Sequence, residues 1–233
     1  MKKLLLAFAP LLFVSAVQAQ GMFNKIETYG TGCPDGTVST SISPDGQSMS
    51  VLFDEFRVEV PEYNPPSIPP SPGSSFPRAP RTRPSRAMRD CQLRFSATLP
   101  LGMSIESVEI SLQARGATIL DPGITADFTS ILVGYTGLAQ ARGRLQPIIQ
   151  KQWQPGRSPI SDEWTASPSM VVPINSGCAT ASGRSVTFDM KNHLGAEIVS
   201  GDLTKSGIVT VDSADAKGIL RVSLRTRTCR SVR

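Results

Sequence analysis

Cys91-Gln92-Leu93-Arg94-Phe95-Ser96-Ala97-Thr98-Leu99 alternates apolar and polar residues without a break. A period of two marks a strand with one buried face, because successive side chains point to opposite sides. Cys91, Leu93, Phe95, Ala97 and Leu99 share the apolar face. Cys91 therefore lies where a disulfide to another strand would form. Pro100-Leu101-Gly102 ends the run with turn chemistry.

The same period recurs on both sides. Val38, Thr40 and Ile42 alternate with Ser39 and Ser41, Ser43-Pro44-Asp45-Gly46 reads as a turn, and Met49, Val51 and Phe53 alternate beyond it. The parity then slips, since Phe56, Val58 and Val60 are even-numbered. That predicts a bulge or crossover near Asp54-Glu55. Val108, Ile110 and Leu112 form another run, and Asp121-Pro122-Gly123 turns the chain into Ile124, Ala126 and Phe128. Further strands are expected at 184–190 and 207–211. In the last, Ile219–Thr228, Leu220, Val222 and Leu224 face one way and Arg221, Ser223, Arg225 and Arg227 the other. Cys229 shares the parity of the arginines, so a bulge near Thr226 is expected. No segment carries a 3.6-residue stripe. Many short strands separated by turns predict an all-β chain, an antiparallel β-sandwich of jelly-roll or immunoglobulin-like kind with long Pro/Gly-rich loops.

Residues 1–19 give the address. Lys2 and Lys3 precede an apolar run from Leu4 to Val14, and Val17-Gln18-Ala19 is a small-x-small cleavage site. The run is shorter than the roughly 20 residues that span a bilayer. The expectation is a signal peptide over 1–19, no transmembrane segment after its removal, and a periplasmic or extracellular protein. Residues 20–233 suit a single sandwich domain. The net charge of +5 falls to +3 when Lys2 and Lys3 leave, a mild basic balance.

Two stretches interrupt the strands. Residues 61–89 hold nine prolines and five arginines and read as a flexible, extended excursion. Residues 134–169, rich in Gly, Pro and Gln and carrying Trp153 and Trp164, read as an irregular loop region.

The four cysteines, Cys33, Cys91, Cys178 and Cys229, contain no C-x-x-C pair, and in an exported chain they read as two disulfides. Three connectivities are open. The favoured one is Cys33–Cys91 with Cys178–Cys229, one staple at each end, each worth about 4 kcal/mol on the chain-entropy account.

An ordered series of motifs surrounds these cysteines. Gly30-Thr31-Gly32-Cys33-Pro34 comes first, with Ser43-Pro44-Asp45-Gly46 and Phe53-Asp54-Glu55-Phe56. Arg89-Asp90-Cys91-Gln92-Leu93, Arg115-Gly116-Ala117 and Asp121-Pro122-Gly123-Ile124 follow. Ser176-Gly177-Cys178 and Asp212-Ser213-Ala214-Asp215-Ala216-Lys217 lead to Cys229. In this series the chain resembles the family catalogued as domain of unknown function 4360, small secreted proteins of bacteria and fungi. The resemblance implies secretion, a disulfide-bonded β domain and no assigned catalytic residues. The chain departs from the family in its longer 61–89 stretch and in Asp90, where Asn is commoner.

Catalytic motifs are absent. His193 stands in Asn192-His193-Leu194-Gly195, which reads as a polar surface turn, and no G-x-S-x-G elbow accompanies it. Asp54-Glu55 and Asp162-Glu163 are adjacent acids, which a strand points to opposite faces. Asp212 to Gly218 lacks the acidic spacing of a calcium loop. No catalytic residue, metal ligand or cofactor is therefore expected. The densest charge is Arg78, Arg81, Arg83, Arg86, Arg89 and Arg94, facing Asp90 alone. Arginine pairs bidentately with phosphate and carboxylate, so these six are the candidate anion-binding residues. The compartment and the lack of interleaved aromatics argue against nucleic acid. The expectation is a non-catalytic binding or envelope-associated module contacting an anionic envelope or extracellular polysaccharide. The alternatives are a secreted hydrolase, marked by a carboxylate beside His193 or by two convergent acids, and a structural or assembly protein of the envelope.

Overall fold

The alternation at 91–99 begins earlier than its apolar run, at Arg86, and the resulting strand lies inside a five-stranded sheet. The structure, a computed structural model, describes residues 22–54, 56–62, 84–136, 146–174, 176–180, 184–212 and 219–229. All regular structure among them is strand: β1 (Phe23–Tyr29), β2 (Val38–Ile42), β3 (Ser48–Phe53), β4 (Phe56–Val60), β5 (Arg86–Leu99), β6 (Met103–Leu112), β7 (Ala114–Leu120), β8 (Ile124–Thr136), β9 (Gln146–Trp153), β10 (Ile160–Ala166), β11 (Ser169–Pro173), β12 (Arg184–Ile198), β13 (Gly207–Asp212) and β14 (Ile219–Thr228).

The first sheet has the order β1-β5-β12-β8-β9. A four-stranded sheet runs β10-β7-β13-β4 and a third runs β11-β6-β14-β3-β2. All pairs are antiparallel. The last two sheets are halves of one bent layer. Each strand of the four-stranded half continues along the chain into its counterpart: β3 into β4, β6 into β7 across Gln113, β10 into β11 across Ser167-Pro168, and β13 into β14. The parity slip at Asp54-Glu55 is therefore a crossover from one half to the other. The register of β10 on β7 (Ala166↔Ala114) carries on into β11 on β6 (Ser169↔Ser111), so outward side chains stay outward across the bend.

One hydrophobic cluster fills the space between the layers. Phe95 and Phe188, both fully buried, stack at 5.3 Å in the first sheet. Phe56 of β4 meets Phe128 of β8 at 6.3 Å, and Phe128 meets Trp164 of β10 at 5.7 Å. Each such ring contributes about 1.5–3 kcal/mol through burial. Cys33 joins Cys91 at the buried face of β5, and Cys178 joins Cys229 after β14. The register of β14 on β6 slips by one between Arg225 and Thr226, the bulge that the parity of Cys229 requires.

Three expectations need correction. Residues 134–169 are not one irregular loop, since they contain β9 and β10. Both are edge strands, where a residue such as Pro147 costs no ladder bond and where periodicity is weak. The excursion at 61–89 is shorter than expected. Glu62 N–H already donates to the Pro84 carbonyl at 3.3 Å, and β5 starts at Arg86. Residues 63–83 lie outside the described residues. Lastly, His193 is in the middle of β12, not in a turn.

Candidate functional site

Of the six arginines singled out above, Arg78, Arg81 and Arg83 lie outside the described residues, as do residues 213–218. The other three sit on or beside β5, each against a carboxylate. Arg86 is 3.9 Å from Glu197, Arg89 donates to Glu62 at 2.8 Å, and Arg94 donates to Asp189 at 2.8 Å. Arg94 and Asp189 are register partners on β5 and β12, and the guanidinium also lies 6.0 Å from the centre of the Tyr29 ring. A cation already held by a fixed anion offers a polymer little net charge.

The outer face of the first sheet, to which Arg86 and Arg94 belong but Arg89, of inward parity, does not, carries a second network. Asp90 on β5 and Thr129 on β8 flank His193 on β12. The Asp90 carboxylate only accepts, so His193 Nδ1 carries the proton of their 2.8 Å hydrogen bond. Lys191 Nζ lies 3.3 Å from the same oxygen, and Asp127 stands 3.7 Å from His193 Nε2. Gly195 makes the room, because a Cβ there would sit 2.8 Å from Asp127 Oδ1 and 3.2 Å from His193 Nε2. Partial burial disfavours the charged form of Asp90, but the hydrogen bonds and charges of His193 and Lys191 outweigh it and hold the carboxyl below its ordinary pKa. A carboxylate beside His193 is thus present. The ring lies between its two acids, however, and no three His, Cys, Asp or Glu groups are placed to hold a metal among the described residues.

The acids read as a pair at Asp162-Glu163 diverge. Asp162 accepts from Trp153 Nε1 at 3.0 Å and lies 3.3 Å from Lys151, and these contacts lower its pKa, the indole bond most. Glu163 points outward and is exposed.

The outer face of the bent layer is differently built. Register pairs place Ser169, Ser111, Arg221, Ser50 and Ser41 in one row across β11, β6, β14, β3 and β2. Arg221 is exposed and has no carboxylate partner among the described residues. Its cross-strand neighbours on both sides are serines, one strand spacing away, roughly 4.8 Å. Further along β14, Arg225 pairs with Glu109 at 3.3 Å and Arg227 with Glu106 at 3.7 Å. The alternation of arginines on β14 is legible in the sequence. The serines that surround Arg221 come from strands far away in the chain, and only the pairing assembles them.

Beside this row the bend opens a cleft of about 530 Å³, lined by Gln113, Arg115, Glu163, Trp164, Thr165 and Ser167. Behind this lining Trp164 points into the core. Its ring lies over Gly116, where a Cβ would come within 2.4 Å of the ring and 2.2 Å of the Thr210 carbonyl oxygen. Its Nε1 donates to Thr118 at 3.3 Å, and Lys151 Nζ sits 5.5 Å from the ring centre.

A family model described as Domain of unknown function (DUF4360) matches residues 22–68 and 75–229. A relative named "Uncharacterized secreted protein", from Arthroderma benhamiae, is 25% identical over 205 residues, covering 87% of this chain and 69% of the relative. Among solved structures, TmCBM61 in complex with beta-1,4-galactotriose aligns at 10% identity with a TM-score of 0.24, covering 86% of this chain and 90% of that one. The enzymatically active domain of bacteriophage CBA120 tailspike protein 4 aligns at 9% identity with a TM-score of 0.21, over 86% of this chain and 19% of that one. At these scores neither likeness bears on a site or a ligand.

Proposed function

The chain belongs to the family described as Domain of unknown function (DUF4360), which carries no mechanism with it, and we propose from its own surfaces that it is an exported, non-catalytic binding module for an anionic polymer. Export rests on residues 1–19 as a signal peptide and gains support from the secreted relative. The remaining chain, 20–233, acts as one sandwich domain in the periplasm or outside the cell. The observation that carries the reading is the row Ser169–Ser111–Arg221–Ser50–Ser41, a guanidinium without a carboxylate partner among the described residues, flanked by hydroxyls on an outer sheet face. Such a row suits the carboxylate, sulfate or phosphate groups of a polymer: the guanidinium binds bidentately and the hydroxyls complete the acceptor shell. Arg78, Arg81 and Arg83 lie outside the described residues, and the reading takes its cation from β14. An array of acidic glycans and envelope polymers, read at low and at physiological salt, tests it. Salt-sensitive binding that Arg221→Gln weakens about tenfold is the expected result. Binding that Arg221→Gln leaves intact defeats it.

A second reading, a secreted hydrolase, draws on the Asp90–His193 hydrogen bond and on Asp127 beyond it. An oriented imidazole is the usual general base. Here both ring nitrogens face carboxylates. Release of reducing ends or peptide fragments that His193→Gln abolishes is the result that would favour it.

A further inference from the structure

We infer that the cleft at the bend is a saccharide subsite, and that the polymer bound by the outer face of the bent layer is an acidic polysaccharide. This rests on the binding reading given above and specifies its ligand. Three observations converge.

The first is continuity. Outward positions on β7 and β10 continue those on β6 and β11 in the same register. The pair Ser169–Ser111 in the Arg221 row is followed, toward the cleft, by Ser167 and Gln113 and then by the pair Thr165–Arg115. Two residues of strand advance about 6.6 Å, so the row and the cleft lie side by side along one path. A ligand in the cleft is already next to Arg221.

The second is the lining chemistry. Gln113 offers an amide donor and acceptor, Glu163 two acceptor oxygens, and Thr165 and Ser167 hydroxyls that do both. Adjacent hydroxyls on a sugar ring are donor and acceptor at once, and such a mixed set satisfies them. A simple polyanion has only acceptors. It would leave the Glu163 carboxylate facing like charge, which costs affinity and favours hydroxyl-bearing ligands. Size agrees, since about 530 Å³ is within the range of small-ligand sites, about 300–1,000 Å³.

The third is rigidity. Trp164, buried on the core side of β10 behind these side chains, is held by Thr118, by the Lys151 ammonium and by contact with the Gly116 backbone, and it fixes β10 on β7. The strands that carry the lining are therefore fixed before any ligand arrives, which lowers the ordering cost of binding.

The test compares polygalacturonate with inorganic polyphosphate of similar charge. Each is titrated calorimetrically into the exported protein with its disulfides formed, at low salt. The wild type is expected to bind polygalacturonate at least about tenfold more tightly. Gln113→Ala and Glu163→Gln each alter exposed side chains, and each should remove most of that preference with the thermal midpoint unchanged, Gln113→Ala by weakening polygalacturonate alone and Glu163→Gln also by strengthening polyphosphate. Arg221→Gln should weaken both polymers alike. Equal affinity for the two polymers, or a preference that survives both cleft variants, overturns the saccharide subsite and leaves the anionic face standing. Failure of Arg221→Gln to weaken either polymer overturns the face reading instead. Binding of neither polymer overturns both.

Discussion

The outer faces of the two layers carry similar side chains to opposite effect. On the outer face of the first sheet Arg94 is matched by Asp189, Arg86 by Glu197, and Lys191 and His193 by Asp90. On the bent layer Arg225 and Arg227 are matched by Glu109 and Glu106, but Arg221 stands among serines. Charge density along the chain marks the first region as the binding candidate, whereas pairing across strands marks the second. What decides whether an arginine can meet an anionic ligand is the residue opposite it in the register, because an exposed pair is already largely neutral. The difference teaches that an arginine-rich stretch is a statement about composition until its partners are known.

The largest expected effect concerns the packing that shapes the bent layer. Gly116→Ala would push a methyl group into the Thr210 carbonyl and the Trp164 ring, neither of which can yield without moving backbone or core. Overpacking of this kind costs about 1–3 kcal/mol, occasionally more. A fall in Tm of roughly 3–10 °C is expected in a thermal melt. Polygalacturonate binding should fall with it even well below the new Tm. A variant that melts lower but binds normally would separate the cleft from the function.

Next come paired substitutions across the two faces. Arg221→Gln should reduce affinity for an acidic polymer about tenfold, in line with loss of a charge-assisted hydrogen bond. Arg94→Gln, on the matched face, should leave binding unchanged. Surface plasmon resonance at two salt concentrations reads both. Equal losses would erase the distinction between the faces.

The comparison can also be inverted. Asp189→Asn combined with Glu27→Gln removes the charge of both acids opposite Arg94, on β12 and on β1, and releases a guanidinium next to Tyr29. A new, weak, salt-sensitive affinity for polyphosphate should appear, a few-fold above background. If matching does not silence the first sheet, this variant will bind no better than the wild type.

Much of the fold was legible because burial writes itself into strand periodicity. The run at 91–99 identifies a strand inside the first sheet, the slip after Phe53 identifies a crossover, and the parity of Cys229 identifies the bulge at Thr226. Edge strands were not legible. β9 and β10 each have only one neighbour, and Pro147 and the Pro155-Gly156 and Pro159 breaks between them imitate a loop. The second half of β12 was missed for a different reason. Met190, Leu194, Ala196 and Ile198 keep the inward parity, but the buried Asn192 interrupts the apolar set and suggests a turn. The sites were the least legible part. His193 meets Asp90 and Asp127, and Arg221 meets Ser50 and Ser111, only through pairings between strands far apart in sequence, which no local pattern encodes.

The smallest expected effect is on the pH dependence of the matched face. Asp90 is held below its ordinary pKa, the contacts of His193 and Lys191 outweighing partial burial. A depressed carboxylate binds fewer protons folded than unfolded, so its contribution to stability is full above the unfolded value, about 3.9, and is lost as the pH falls through the folded one. The Asp90 side chain is 43% exposed, and solvent screening keeps the contribution to about 0.5 kcal/mol. Asp90→Asn should therefore flatten the acid side of a stability-versus-pH curve slightly. It should leave the neutral side lower by that amount, and polymer binding on the bent layer untouched. Chemical denaturation at a series of pH values measures the first part and a single titration the second. A change in polymer affinity would mean that the two faces are coupled through the core, and the division between a matched, structural face and an open, binding one would have to be redrawn.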